Sequence, residues 1–284
     1  MDQVSNVVST RWLSDRLRNE NLRILDATVH LPDLGRSAHD EFVEEHIPGA
    51  VFCDLEKIAD PDNPRPRKVP PRELFEREIG LLGIDNQTHV IVYDTPGLYS
   101  AARVWWMFRL YGYDRVSVLD GGFKAWKADG FPVESGEAVV EPRKFVSPEV
   151  RDVLALWSDV KDDMDRKVQI FDARTRGRWA GTEVDRYPGA RPGHIPGSKN
   201  LYWADLLDPD SRRLLPIETL RERFDAAGFD FKKPATMNCG SGLCVCILAL
   251  VLDMFGYENW RIYDGSWDEW GRREDLPVEV GIGE

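Results

Sequence analysis

A single cysteine lies in a sequence context that favours a reactive thiol. Cys239 follows a short apolar run from Ala235 and is followed by Gly240, Ser241 and Gly242. The apolar run beyond is too long for one strand, so we predict a strand, a tight loop and a helix in that order. Two glycines allow positive φ angles and inward-pointing N–H groups, and the helix N-terminus adds partial positive charge. These features lower the pKa of a thiol and make it a nucleophile, whereas the usual alternative is a buried, inert cysteine.

Composition limits the classes of function. The chain has 284 residues and a net charge of −12, which disfavours a general nucleic-acid binder or a binder of acidic membranes. We find no secretory leader and no apolar run long enough to span a membrane. Four cysteines without framework spacing favour free thiols and a cytoplasmic location. The five histidines are scattered, so we expect no metal site and no cofactor.

The chain contains two copies of one pattern. His46-Ile47-Pro48-Gly49 returns 148 residues later at His194, and Asp120-Gly121 returns 144 residues later at Asp264. Cys239 lies 145 residues after Asp94, so only the second copy has a thiol at this place. Similar offsets in one order indicate a duplicated domain.

Each copy alternates strands with helices, which is typical of a parallel sheet flanked by helices in an α/β fold. In the first copy we predict strands at 22–27, 89–93 and 116–119, and helices at 11–20, 37–46, 71–82 and 98–111. We predict a catalytically silent domain at 1–136, a linker at 137–148 and a catalytic domain at 149–284. Ligands bind such sheets at the carboxyl ends of the strands, where Cys239 is predicted to lie.

Four features of the sequence are typical of one known family: the duplicated unit, the His-Ile-Pro-Gly motif, Leu119-Asp120-Gly121-Gly122-Phe123 with Trp126, and the cysteine loop. Together they resemble the rhodanese superfamily, and the resemblance covers the whole chain. The loop from Cys239 to Gly242 is similar to that of 3-mercaptopyruvate sulfurtransferases. Thiosulfate sulfurtransferases of the same fold usually have basic residues after the cysteine, and here Gly240 and Ser241 stand there.

The resemblance implies covalent, two-step catalysis. Cys239 attacks the sulfur of 3-mercaptopyruvate, pyruvate leaves, and the persulfide passes its outer sulfur to a thiol such as thioredoxin or glutathione, or to cyanide. Ser241 could bond the substrate carbonyl or relay a proton. The remaining implied site residues are the loop positions Gly240, Gly242, Leu243 and Cys244, the carboxylate-binding Arg178 and Arg186 with rivals Arg174, Arg176 and Arg191, and the acid Glu56.

Two departures from the family pattern leave alternatives open. The family tends to have a histidine near the place of Arg67, and this chain has none there; Arg65, Arg67 and Lys68 could instead hold an anion or lie in solvent. Cys244 stands where the family more often has threonine. It could resolve the Cys239 persulfide, form a regulatory disulfide with Cys239, or pack on the helix.

Three other functions compete with the mercaptopyruvate reaction. Thiosulfate could be the donor, or the chain could be a non-catalytic persulfide carrier or redox sensor. A cysteine phosphatase on a related fold needs an arginine that closes the loop around phosphate. The six residues after Cys239 contain no arginine, which disfavours a phosphatase.

Overall fold

A computed structural model describes residues 4–31 and 34–281. The chain forms two compact units, Met1–Arg151 with Pro209–Arg213, and Asp152–Asp208 with Leu214–Glu284. The predicted domain ends at residues 1 and 284 lie outside the described residues. No helix in the described ranges is long and apolar enough to cross a membrane.

Apolar, β-branched runs form the parallel sheet of the first unit, in the order β1-β5-β4-β2-β3. Its strands are β1 (Val7–Val8), β2 (Leu22–Asp26), β3 (Ala50–Phe52), β4 (His89–Tyr93) and β5 (Val116–Leu119). Its helices are α1 (Thr10–Ser14), α2 (Ala38–Glu44), α3 (Arg72–Leu81), α4 (Ala101–Leu110) and α5 (Gly122–Ala128). Since all these strand pairs are parallel, the loops that follow the strands lie at the same edge of the sheet.

The second unit repeats this topology in the order β6-β10-β9-β7-β8. Its strands are β6 (Leu154–Ala155), β7 (Gln169–Asp172), β8 (Lys199–Asn200), β9 (Ala235–Asn238) and β10 (Trp260–Tyr263). Its α-helices are α6 (Trp157–Asp165), α7 (Arg176–Ala180), α8 (Ile217–Ala226), α9 (Cys246–Met254) and α10 (Ser266–Trp270), and a 3₁₀ helix spans Trp203–Leu206. The predicted α/β class with tandem parallel sheets is confirmed.

Several predicted helix ends are wrong. Helix 98–111 begins at Ala101, because the residues before it wrap around the buried Asp94 carboxylate. Helix 11–20 is the short α1, whose first turn is capped by Ser9 and which gives way to turns after Ser14. Apolar periodicity does not distinguish a buried turn from a helical turn.

The segment predicted as a linker packs onto the first unit. Phe145 is buried in ring contacts with Phe75, Phe108 and Tyr113. The backbone N–H of Ser147 donates to Glu76 at 2.9 Å. Aromatic contacts of this kind are worth about 0.5–1.5 kcal/mol beyond area burial, so they hold this segment in place.

Candidate active site

The loop after β9 wraps around the sulfur of Cys239. The backbone N–H of Gly242 donates to Cys239 Sγ at 3.2 Å, and the N–H groups of Ser241 and Val245 also bond the sulfur. The Cys244 thiol is a fourth donor. The predicted order of strand, loop and helix is present: β9 ends at Asn238 and α9 begins at Cys246, so Leu243, Cys244 and Val245 belong to the loop.

These donors set the ionisation of the sulfur. Burial raises the pKa of Cys239, but the hydrogen bonds from Cys244 and from the N–H groups of Val245, Ser241 and Gly242 outweigh it. The pKa of Cys239 therefore falls to about 6. A sulfur that is anionic at neutral pH is a better nucleophile than a protonated thiol, so the reactive thiol stays a prediction to be tested by turnover.

The two loop glycines have different structural roles. Gly242 has φ +82°, as predicted, and this turn brings its N–H to the sulfur. Gly240 does not have a positive φ, so that part of the prediction is wrong. A Cβ at Gly240 would instead lie 2.4 Å from Tyr187 Oη, so this glycine permits close approach of the phenol.

The first unit builds the same loop around a carboxylate. Asp94 Oδ2 accepts a hydrogen bond from the N–H of Ser100 at 2.6 Å, and Gly97, with φ +83°, has the same turn as Gly242. Asp94 is fully buried, and this burial raises its pKa although loop N–H groups oppose the change. The duplicated loop therefore surrounds an acceptor with N–H groups in both units, and only the second places a thiol there.

Tyr187 is a site residue that the sequence did not reveal. Its hydroxyl is in hydrogen-bond contact with Ser241. The pKa of Tyr187 is raised well above its ordinary value by burial and by the negative charge of Cys239. The phenol therefore stays protonated beside the loop, and it gives Ser241 a polar partner. An aromatic residue within an arginine- and glycine-rich loop had no periodic signal to mark it.

Ser266 holds the backbone of the cysteine in place. The N–H of Cys239 donates to Ser266 Oγ at 3.2 Å, and that hydroxyl donates to the carbonyl of Tyr263 at 2.8 Å. Ser266 has φ +53°, a left-handed conformation that is uncommon for a residue with a Cβ. The repeat contains a signal for it, since the matching residue of the first unit is Gly122, with φ +57°.

A buried ion-pair network supports the loop from below. Arg174 pairs with Asp172 at 2.7 Å and with Asp185 at 2.7 Å, and its guanidinium lies 4.3 Å from the ring centroid of Trp267. The N–H of Trp267 donates to the carbonyl of Cys239 at 3.0 Å. A buried guanidinium has to be paired with carboxylates because it has lost its contact with water. Arg174, an alternative candidate for substrate binding, therefore has a structural role.

The two predicted carboxylate-binding arginines differ in their surroundings. Arg178 is part of α7 and pairs with Glu183 at 3.0 Å. Arg186 is exposed, and its neighbour Tyr187 contacts the cysteine loop at Gly240. Of the rivals, Arg191 bonds the carbonyls of Gly271, Trp270, Arg273 and Leu276 and is engaged in structure.

Glu56 belongs to the first unit, whereas the Cys239 loop belongs to the second. It is exposed and forms an ion pair with Arg67. Lys68 is buried, whereas Arg65 is half-buried, so the basic cluster is not a single solvated patch. The described residues contain no group of three His, Cys, Asp or Glu side chains that could hold a metal ion.

The matching histidines are engaged in structure. His46 Nδ1 lies 2.7 Å from the carbonyl of Phe42, and His194 Nδ1 lies 2.8 Å from the carbonyl of Trp179. The ring of His46 also stacks on Phe42, with centroids 4.1 Å apart, and the ring of His194 stacks on Trp179, with centroids 4.2 Å apart. Because the contacts are equivalent in both units, they indicate a structural role for both histidines.

Known proteins share this duplicated architecture. A family model described as a rhodanese-like domain matches residues 9–129 and 156–273. The chain is 39% identical to 3-mercaptopyruvate sulfurtransferase of Homo sapiens, over 96% of this chain and 95% of that protein. It is also 39% identical to thiosulfate sulfurtransferase of Bos taurus, over 97% and 94%. The crystal structure of SseA from Escherichia coli has a TM-score of 0.84 and 33% identity, covering 93% of this chain and 99% of that one.

Two rhodanese-like domains that together span most of the residues, with a thiolate-stabilising loop in the second, define the class. The chain belongs to the rhodanese family. Its enzyme type is sulfurtransferase, the activity for which these full-length relatives are named.

Proposed function

We propose that the chain moves a sulfane sulfur from 3-mercaptopyruvate to a thiol or cyanide through a persulfide on Cys239, releasing pyruvate. The single observation that supports this most strongly is the thiolate of Cys239, held by the N–H groups of Ser241, Gly242 and Val245 with a pKa of about 6. The same donors can stabilise the negative charge of a persulfide.

In the first half-reaction, the Cys239 thiolate attacks the donor sulfur and forms an S–S bond. The C–S bond breaks, its electron pair leaves with pyruvate as the enolate, and that enolate takes a proton. We assign proton relay to Ser241, whose hydroxyl is bonded to Tyr187. In the second half-reaction, an acceptor thiolate or cyanide takes the outer sulfur and leaves the Cys239 thiolate.

The donor carboxylate requires a cation. We assign this role to Arg178 and Arg186, because a guanidinium binds a carboxylate through two parallel hydrogen bonds. Arg178 has to share its charge with Glu183. Arg186 is the more accessible of the two, and its neighbour Tyr187 touches the cysteine loop at Gly240. We propose Glu56 as an additional acid in the reaction; in the structure its carboxylate forms an ion pair with Arg67.

Thiosulfate is the second candidate donor. The named relatives do not choose between the two donors, because the mercaptopyruvate and thiosulfate enzymes are both 39% identical to this chain. The loop favours mercaptopyruvate: Gly240, Ser241, Gly242 and Leu243 provide no cation for a doubly charged anion.

A donor comparison tests the proposal. Purified, reduced chain is given 3-mercaptopyruvate or thiosulfate with cyanide as acceptor, and thiocyanate and pyruvate are measured. We expect a larger kcat/KM with mercaptopyruvate and, at saturating cyanide, one pyruvate for each thiocyanate. A larger kcat/KM with thiosulfate would replace the donor, and no turnover with either would favour the persulfide carrier or redox sensor.

For the physiological acceptor we propose a small or protein thiol of the glutathione or thioredoxin type, in a reducing cytoplasm. The four cysteines are free thiols in the structure, which is compatible with such a compartment. We propose that the first domain is catalytically silent, since Asp94 replaces the nucleophile there.

A further inference from the structure

Cys244 is a second thiol in contact with the reacting sulfur. It lies in the turn before α9 and donates a hydrogen bond to Cys239. The hydrogen bond to the Cys239 thiolate, together with burial, raises the pKa of Cys244 well above its ordinary value. In the resting chain Cys244 is therefore protonated and unreactive, although it adjoins the nucleophile.

Persulfide formation changes this relation. The negative charge moves from Cys239 Sγ to the outer sulfur, one S–S bond of about 2 Å farther along. The hydrogen bond to the thiolate, the main cause of the raised pKa of Cys244, is then lost. Cys244 now adjoins an electrophilic sulfur in place of an anionic one.

We propose that Cys244 resolves the Cys239 persulfide and releases hydrogen sulfide, in competition with transfer to an external acceptor. The inference rests on the proposed function, because it begins from the persulfide. The Cys244 sulfur attacks Cys239 Sγ and forms the Cys239–Cys244 disulfide. The bond from Sγ to the outer sulfur breaks, and the outer sulfur leaves with that electron pair and the Cys244 proton. The Cys244 sulfur is oxidised, the outer sulfur is reduced, and a dithiol reductant of the acceptor class has to restore both thiols.

The loop allows the two sulfurs to meet. Gly242, with φ +82°, turns the backbone between them, and the described contact already places the two thiols within hydrogen-bond reach. Cys246 is a natural matched control, since it is also buried but directs its thiol to the carbonyl of Gly242 at 3.4 Å. A cysteine so close in the chain is therefore not expected to replace Cys244.

The test uses the reduced full-length chain, without oxygen and without acceptor. One equivalent of 3-mercaptopyruvate is added, and pyruvate, free sulfide and the intact mass are measured. We expect the wild type to release stoichiometric sulfide and to lose two hydrogen atoms. Cys244→Ser and Cys244→Thr should form pyruvate, release no sulfide and keep one added sulfur atom. Cys246→Ser should behave as the wild type.

Three results separate the possible failures. A wild type that keeps the added sulfur as stably as Cys244→Ser overturns the resolving step, while the pyruvate it forms upholds the transfer reaction. Sulfide release that is lost in Cys246→Ser and retained in Cys244→Ser also overturns it. No pyruvate and no added sulfur in any variant refutes the proposed function itself.

Discussion

Substitution of Gly240 by alanine tests how closely Tyr187 seats on the cysteine loop. The new Cβ would lie 2.4 Å from the Tyr187 hydroxyl oxygen and 2.7 Å from Cε2. Ordinary contact begins near 3.4 Å, so the phenol or the loop has to move by about 1 Å. Overpacking of this size costs about 1–3 kcal/mol, and part of the cost is the hydrogen bond between Tyr187 and Ser241.

If the loop moves, the N–H groups around Cys239 lose their alignment with the sulfur. We expect Gly240→Ala to reduce kcat/KM for 3-mercaptopyruvate by about 5- to 150-fold, which is 1–3 kcal/mol. The assay is pyruvate release at saturating acceptor, with thiolate content measured in the same samples.

The double variant Gly240→Ala/Tyr187→Ala provides the control. Removing the phenol removes the clash, so the double variant should recover to the level of Tyr187→Ala alone, and the two changes should be strongly non-additive. Wild-type kcat/KM in Gly240→Ala, or simple additivity of the two changes, would refute the proposed seating of Tyr187.

Three further predictions concern the substrate, the backbone and the pH dependence. Arg178→Ala should raise KM for mercaptopyruvate by about 10- to 150-fold, since a charge-assisted hydrogen bond is worth about 1.5–3 kcal/mol. An unchanged KM would remove Arg178 from carboxylate binding. Ser266→Ala should reduce the free energy of unfolding by about 1–3 kcal/mol in urea titrations, because it leaves the buried N–H of Cys239 without its partner at 3.2 Å; no loss would contradict this. The pKa of Cys239 in the folded chain lies below the ordinary 9.0, so ionisation of Cys239 stabilises the fold at high pH. The free energy of unfolding of wild type, relative to Cys239→Ser, should therefore grow by about 1.4 kcal/mol per pH unit between pH 6 and 9, and this gain should be lost as pH falls to about 6. A difference independent of pH in that range would show that Cys239 does not ionise early.

The sheet could be predicted from sequence because short β-branched runs bounded by turn residues rarely adopt a structure other than a strand. Strands His89–Tyr93 and Val116–Leu119 agree with their predicted limits residue for residue. The duplication helped, since each copy supplies the pattern that the other lacks.

The point at which the helix after Cys239 begins could not be predicted from the sequence. Leu243 and Val245 are apolar and buried, so they read as helix, although they form the loop around the sulfur. The identity of the amide donors depends on that turn, which hydrophobic periodicity does not encode. Tyr187 reaches the site from a different segment, and nothing local in the sequence predicts that contact.

We infer that backbone N–H groups keep the Cys239 sulfur anionic, so that it can carry a second sulfur atom. The most direct measurement is a pH titration of thiolate absorbance in wild type, with Cys239→Ser subtracted. We expect a midpoint near the pKa of about 6, which corresponds to about 4 kcal/mol in favour of the thiolate relative to an ordinary cysteine at 9.0. A midpoint at 9.0 or above would contradict it.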